Sequence, residues 1–237
     1  MIEVCVDTLA GLEAALAGGA GRIELCAALD LGGLTPSAGL MRAAAGCGLP
    51  VLAMMRPRAG GFVWSAAEQA AICDDIAAAR AAGLAGVVLG ASLPDGRLDR
   101  AALARMTAAA SGMQMTLHRC FDLVPDPAMA LETAIELGFH RVLTSGGALR
   151  AAEGLARLQA LQAQAAGRIG ILPGSGISAA NAPLFAAFPE LHASCSAAGQ
   201  GELGRGAAEL VRFGFSAVAP RETRADLVAD LVQASGS

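Results

Sequence analysis

The chain opens Ile2-Glu3-Val4-Cys5-Val6-Asp7, runs on through Thr8 to Leu16, and after Gly18-Gly19 reads Arg22-Ile23-Glu24-Leu25-Cys26. The first and last runs are short, aliphatic and alternate in polarity, which predicts two strands. The alanine- and leucine-rich stretch between them predicts a helix closed by glycine. Successive residues of a strand point to opposite faces. Glu3, Cys5 and Asp7 therefore share one face, as do Glu24 and Cys26, while Ile2, Val4, Val6, Ile23 and Leu25 take the other.

Working outward, the alternation persists. Strands are predicted at Val51 to Met55, Gly86 to Leu89, Gln114 to His118, Arg141 to Thr144, Ile169 to Pro173 and Leu191 to Cys195. Helices are predicted at Pro36 to Ala45, from Ser65 to about Ala82, from Asp99 to Ser111, at Pro127 to Leu137, from Leu149 to Ala165, briefly from Ser178, and at Arg224 to Gln233. Glu68, three residues after Ser65, completes a capping box. Eight strands, each followed by a helix, predict one α/β domain over residues 1–237, a single (β/α)8 TIM-type barrel. A doubly wound open sheet is the alternative. It normally has fewer strands, and no G-x-G-x-x-G follows the first strand here. The glycine-bearing segment from Gly199 to Thr223 is read as an irregular loop or flap over one face.

With 54% hydrophobic and 16% charged residues, the 237-residue chain can build a core and is not a disordered segment. Net charge is −4, tyrosine is absent, and no lysine/arginine run occurs. These features argue against nucleic acid and anionic membrane as partners. No apolar stretch reaches the roughly 18 residues of a membrane span, and the start lacks a signal-peptide pattern. Cys5, Cys26, Cys47, Cys73, Cys120 and Cys195 form no C-x-x-C pair. They read as free thiols in a reducing cytoplasm. No organic cofactor is expected.

In such a barrel the outer strand faces pack under helices, so the polar faces must point inward, near the catalytic mouth. Glu3, Glu24, Arg56, His118 and His192 are thus candidate catalytic residues. Glu24 or Glu3 would be the general base and His118 an acid or electrophile. Arg56 and Arg58 would clamp an anion. The alternative is a buried ion network of Glu3, Glu24 and Arg56 that only fixes packing, with His118 a hydrogen-bonded core residue. Gly174-Ser175-Gly176 and Ser194 lie in the loops where barrels often hold phosphate, and Ser145 sits in a similar turn. No lysine ends a strand, which argues against Schiff-base chemistry. Glu3, Glu24, His118 and His192 could also converge on a hard metal, although no spacing motif supports it. Trp64 is read as interface, mouth lining or lid packing.

Six segments in order, Arg22-Ile23-Glu24-Leu25-Cys26-Ala27-Ala28, Gly32-Gly33-Leu34-Thr35-Pro36-Ser37, Met55-Arg56-Pro57-Arg58-Ala59-Gly60-Gly61-Phe62, Thr116-Leu117-His118-Arg119-Cys120-Phe121-Asp122, Arg141-Val142-Leu143-Thr144-Ser145-Gly146 and Leu191-His192-Ala193-Ser194, resemble the CutC family, named for copper homeostasis. The likeness spans nearly the whole chain. It implies a cytoplasmic TIM-type barrel, a homodimer or higher homo-oligomer, and a link to copper. The family's candidate Cu(I) thiols map to Cys5 and Cys26, with His118 or Met54 nearby; soft thiolates suit Cu(I). The loop after strand eight has few landmarks of the family. Three readings follow: a copper homeostasis protein, a barrel enzyme acting on a small anionic or phosphorylated metabolite, and a non-catalytic oligomeric scaffold or sensor.

Overall fold

Alternation along the strands is what divides this molecule into layers. The computed structural model describes residues 1–198, 207–214 and 221–236. Eight parallel strands form the barrel: β1 (Ile2–Val6), β2 (Arg22–Leu25), β3 (Val51–Met54), β4 (Gly86–Leu89), β5 (Gln114–Leu117), β6 (Arg141–Thr144), β7 (Gly170–Pro173) and β8 (Leu191–Ala193). They are hydrogen-bonded in the order β7-β6-β5-β4-β3-β2-β1-β8. The first strand pairs with the last, Glu3 standing beside His192. β7 and β8 meet without ladder bonds, so the barrel is nearly closed. The fold is the expected (β/α)8 barrel.

Helices α1 (Leu9–Ala17), α2 (Ala38–Ala44), α3 (Ala66–Ala81), α4 (Arg100–Ala109), α5 (Pro127–Glu136) and α6 (Leu155–Ala165) follow the first six strands. The first five start at side-chain caps, which satisfy otherwise orphaned N–H groups. Thr8, Ser37, Asp99 and Asp126 accept from backbone N–H groups, and Ser65 with Glu68 forms the expected box. Two starts differ from expectation. Residues 149–154 make turns, and α6 begins only after Gly154. After β7, the Ser178 N–H is taken by Asn181 Oδ1. The helix expected from Ser178 is replaced by a 3-10 turn at Ala182–Phe185.

Beyond β8, strand β9 (Ser196–Ala198) pairs antiparallel with β10 (Arg221–Thr223), flanking α7 (Ala207–Arg212), and α8 (Ala225–Ala234) packs beside α1 and β1. The flap expected over 199–223 is thus partly a hairpin stem, and its residues 199–206 and 215–220 lie outside the described residues. No helix among the described residues is long and apolar enough to cross a membrane.

The main core fills the space between barrel and helices, and holds Ile2, Val4, Val6, Ile23 and Leu25. A separate small apolar wall, Cys26, Leu52, Met54 and Val88, packs together on β2 to β4. The floor of the barrel is polar. At its N-terminal end Arg22 pairs with Glu3 and with Glu190 (2.7 Å), and Arg141 reaches Glu190 (3.1 Å) and Gln114 (2.9 Å). Arginine at the first position of β2 and β6 thus floors the barrel with ion pairs. Fully buried charges survive only when paired.

Burial alone would raise the Glu3 carboxyl, but the His192 hydrogen bond and the Arg22 charge outweigh it and hold the pKa at about 2, against 4.5 ordinarily. A depressed folded pKa stabilises above the unfolded value and loses that stability as pH falls through the folded one. Stability is therefore expected to drop between pH 4.5 and about 2. Arg22→Met should cost about 3–5 kcal/mol by urea denaturation at neutral pH, because it strands the Glu3 charge. A loss under about 1 kcal/mol would show that the pair does not hold the floor.

Candidate functional site

A cavity of about 840 Å³ opens at the C-terminal ends of the strands. Cys5, Glu24, Met54, Arg56, His118, His192 and Ser194 line it, so most of the sequence-predicted residues converge there. Their strands place them. Cys5 and Glu24 are register partners on β1 and β2, while His192 stands beside Glu3 on β8.

The deepest part is a chain of three groups. His192 Nδ1 donates to Glu3 Oε1 at 2.8 Å, and its Nε2 stands 3.8 Å from Glu24 Oε2. Cys5 Sγ, a Glu24 oxygen and a His192 nitrogen lie within 4.8 Å of one another. Burial would depress the imidazolium, but Glu24, Cys5 and Glu3 outweigh it, so the His192 pKa is raised well above 6.5. For Glu24 burial dominates and raises the pKa, opposed by His192. Glu24 Oε1 is buried and has no partner among the described residues.

His118 behaves in the opposite way. Burial, then the Arg56 charge, lowers its pKa to about 3, so the ring is neutral. Nδ1 accepts from the Cys120 N–H at 3.2 Å. The proton is thereby assigned to Nε2, which is buried without a partner among the described residues. The ring packs against Phe62, centroids 4.8 Å apart and planes tilted by 45°. Gly90, after β4, makes the room: a Cβ there would stand 2.4 Å from His118 Cε1.

Several expected roles move. Both terminal nitrogens of Arg56 are spent on backbone carbonyls, of Leu31 (2.8 Å), Gly33 (3.0 Å) and Gly60 (2.8 Å). Arg56 therefore staples two loops, with only Nε unpaired. Arg58 lies outside the cavity, paired with Glu68 and stacked over Trp64 at 4.9 Å. Trp64 itself is core, its Nε1 donating to Gly90 O at 2.8 Å. Ser145 is buried off the cavity, where it meets Asp122, Arg119 and Ala148. Gly174 lies under the His192 ring, whereas Ser175 and Gly176 line the cavity. Cys26 is outside the Cys5 group: its thiol donates to Glu24 at 3.6 Å and is raised in pKa, first by burial. His118 likewise stands apart from the Cys5–Glu24–His192 cluster.

The sequence reading missed Arg22, Arg141 and Glu190 in the floor, and Arg119, Arg150 and Arg221 at the cavity mouth. Arg22 carried a legible signal, since it shares the Glu24 face of β2. Arg119 and Arg150 stand in turns and Arg221 on the short β10, all outside the barrel strands whose periodicity marks direction.

The family model for the CutC family matches residues 1–197. A CutC family protein of Sinorhizobium medicae is 56% identical over 228 residues, covering 95% of this chain and 91% of the relative. One from Agrobacterium fabrum is 58% identical over 200 residues, covering 83% and 80%. The crystal structure of CutC from Streptococcus agalactiae, a protein named for copper homeostasis, superposes with a TM-score of 0.78 at 29% identity, covering 82% of this chain and 98% of that one. On the match of the family model and on these relatives, the chain belongs to the CutC family.

Proposed function

We propose that the barrel mouth is an acid–base catalytic site for a small anionic metabolite bearing a carbonyl group. One observation carries the reading: two buried, unpartnered polar atoms, Glu24 Oε1 and His118 Nε2, belong to residues of the same cavity. Buried polar atoms without partners are rare and costly, and a ligand that pairs with them removes the cost. Glu24, its pKa raised by burial, is the base that takes a proton from the substrate. Neutral His118 donates its Nε2–H to the carbonyl oxygen as negative charge develops there. His192, charged between Glu3 and Glu24, orients the base and balances its charge.

The test is solvent-deuterium incorporation, followed by proton NMR, across a panel of small anionic carbonyl compounds. Glu24→Gln should lower the rate by about 10²–10⁴-fold while binding persists. The rate is expected to fall as pH drops through the raised Glu24 pKa, above 4.5. His118, with a pKa of about 3, should add no limb near neutrality. Exchange that survives both Glu24→Gln and His118→Gln would overturn the reading, as would a panel with no active compound.

A second reading rests on the Cys5–Glu24–His192 cluster, whose ligand atoms could close on a transition-metal ion carried as cargo, Cu(I) included. The donor set is one sulfur, one oxygen and one nitrogen, a mixed set rather than the pair of thiolates that best suits Cu(I). In an anaerobic Cu(I) competition titration, Cys5→Ser should abolish any tight binding and Cys26→Ser should leave it. Equal loss in both variants would restore a two-thiol site.

We also read the protein as cytoplasmic, which its free cysteines support. A homo-oligomer is proposed on the family likeness, with exposed Leu123, Met129, Leu149 and Leu184 offering apolar surface. Light scattering should then give a mass at least twice the 23.6 kDa of one chain; a single-chain mass would remove the proposal.

A further inference from the structure

Glu24, His118 and His192 stand at the ends of β2, β5 and β8, and the end of β7 is built of different material. Ser175 and Gly176 follow β7 with φ of +84° and +74°. A serine in that region is uncommon, and such conformations persist only where the surroundings enforce them. Here they do. Ser175 Oγ donates to Leu149 O at 2.8 Å, and Ser175 O accepts from the Ala151 N–H at 3.0 Å. Asn181 Nδ2 donates to Gly176 O at 2.8 Å while its Oδ1 accepts from Ser178 N–H at 2.9 Å. The loop is locked before any ligand arrives.

Within that locked loop the N–H groups of Gly176, Ile177, Ala179 and Ala180 donate to no acceptor among the described residues. The Arg150 side chain makes no ion pair or hydrogen bond among the described residues and lies across Gly176. A Cβ at 176 would stand 2.9 Å from its guanidinium, so the arginine passes close over this glycine. Facing it, the hydroxyls of Ser194 and Ser196 share a hydrogen bond of 2.9 Å, and Arg221 reaches Ser196 at 3.1 Å. Asp230 lines the same cavity and makes no ion pair with Arg150.

Building on the catalytic reading above, we infer that the loop from Ser175 to Ala180, with Arg150 and the Ser194–Ser196 end of β8, is the seat of a tetrahedral dianion, the phosphate of a phosphate monoester. Several preorganised N–H donors and one uncommitted guanidinium match the several oxygens of a phosphate, whereas a planar carboxylate would use few of them. The position agrees with the place where parallel barrels hold phosphate, after their seventh and eighth strands. The substrate is then a small phosphorylated carbonyl compound, its phosphate at β7 and its reacting carbon between Glu24 and His118.

The experiment is calorimetric titration of the full chain with inorganic phosphate at fixed ionic strength, with acetate as the planar control. Phosphate should bind and acetate should not. Arg150→Gln, on an exposed side chain, should weaken phosphate by at least about tenfold. Arg42→Gln on α2, outside the cavity, should leave the affinity unchanged, and Glu24→Gln should change it by no more than about twofold. Absence of phosphate binding, acetate binding as tight as phosphate, or equal affinity of wild type and Arg150→Gln would each overturn the inference. The two readings fail separately. Arg150-dependent phosphate binding without Glu24-dependent proton exchange would keep the anion seat and reject the catalytic reading. Glu24-dependent exchange without phosphate binding would do the reverse.

Discussion

One buried residue, Glu3, ties the floor of this barrel to its mouth. Its carboxylate is fully buried on the first strand, between the Arg22 guanidinium and the His192 imidazole. Moving such a group out of water costs several kcal/mol even after relaxation, and only paired partners make it tolerable. Arg22 ties Glu3 to Glu190 and Arg141 in the floor. His192 ties it upward to Glu24 and Cys5. One buried carboxylate therefore links the stabilising end of the barrel to the end where chemistry is proposed, and it joins the first strand to the last where the ring closes.

The two histidines of the cavity illustrate how environment assigns roles. Both are buried, and burial disfavours the charged form of each. His192 faces two carboxylates and remains charged; His118 faces Arg56 and is neutral. The same side chain thus supplies a fixed positive charge on β8 and a hydrogen-bond donor at the end of β5. Divergent titration of like groups is a pattern typical of acid–base sites.

Arginine shows the same dependence on surroundings. Arg56 and Arg58 have the composition of an anion clamp, yet loop carbonyls and Glu68 consume them. Arg150 has no sequence signature, and its guanidinium at the cavity rim is uncommitted among the described residues. A hydrogen-bonded arginine holds loops in place; an unpaired one can meet a ligand. The difference lies in which carbonyls lie within reach after folding.

The barrel itself was legible in the sequence, because eight short alternating runs separated by capped alanine-rich helices admit few other parallel architectures. So was the inward direction of Glu3, Cys5, Glu24, His118 and His192, since strand side chains alternate with a period of two and one face had to be apolar. Helix starts at Ser65 and Asp99 followed from local capping chemistry. What only the tertiary structure decided was partnership. It set His192 between Glu3 and Glu24, left Cys26 outside the cluster at Cys5, spent Arg56 on backbone and stood Arg150 over Gly176. The physical reason is that strand direction is a local property of the backbone, while hydrogen bonds and ion pairs join groups from 19 to 189 residues apart, as in Glu3 with Arg22 and with His192. No local pattern encodes the distances at which such groups finally meet.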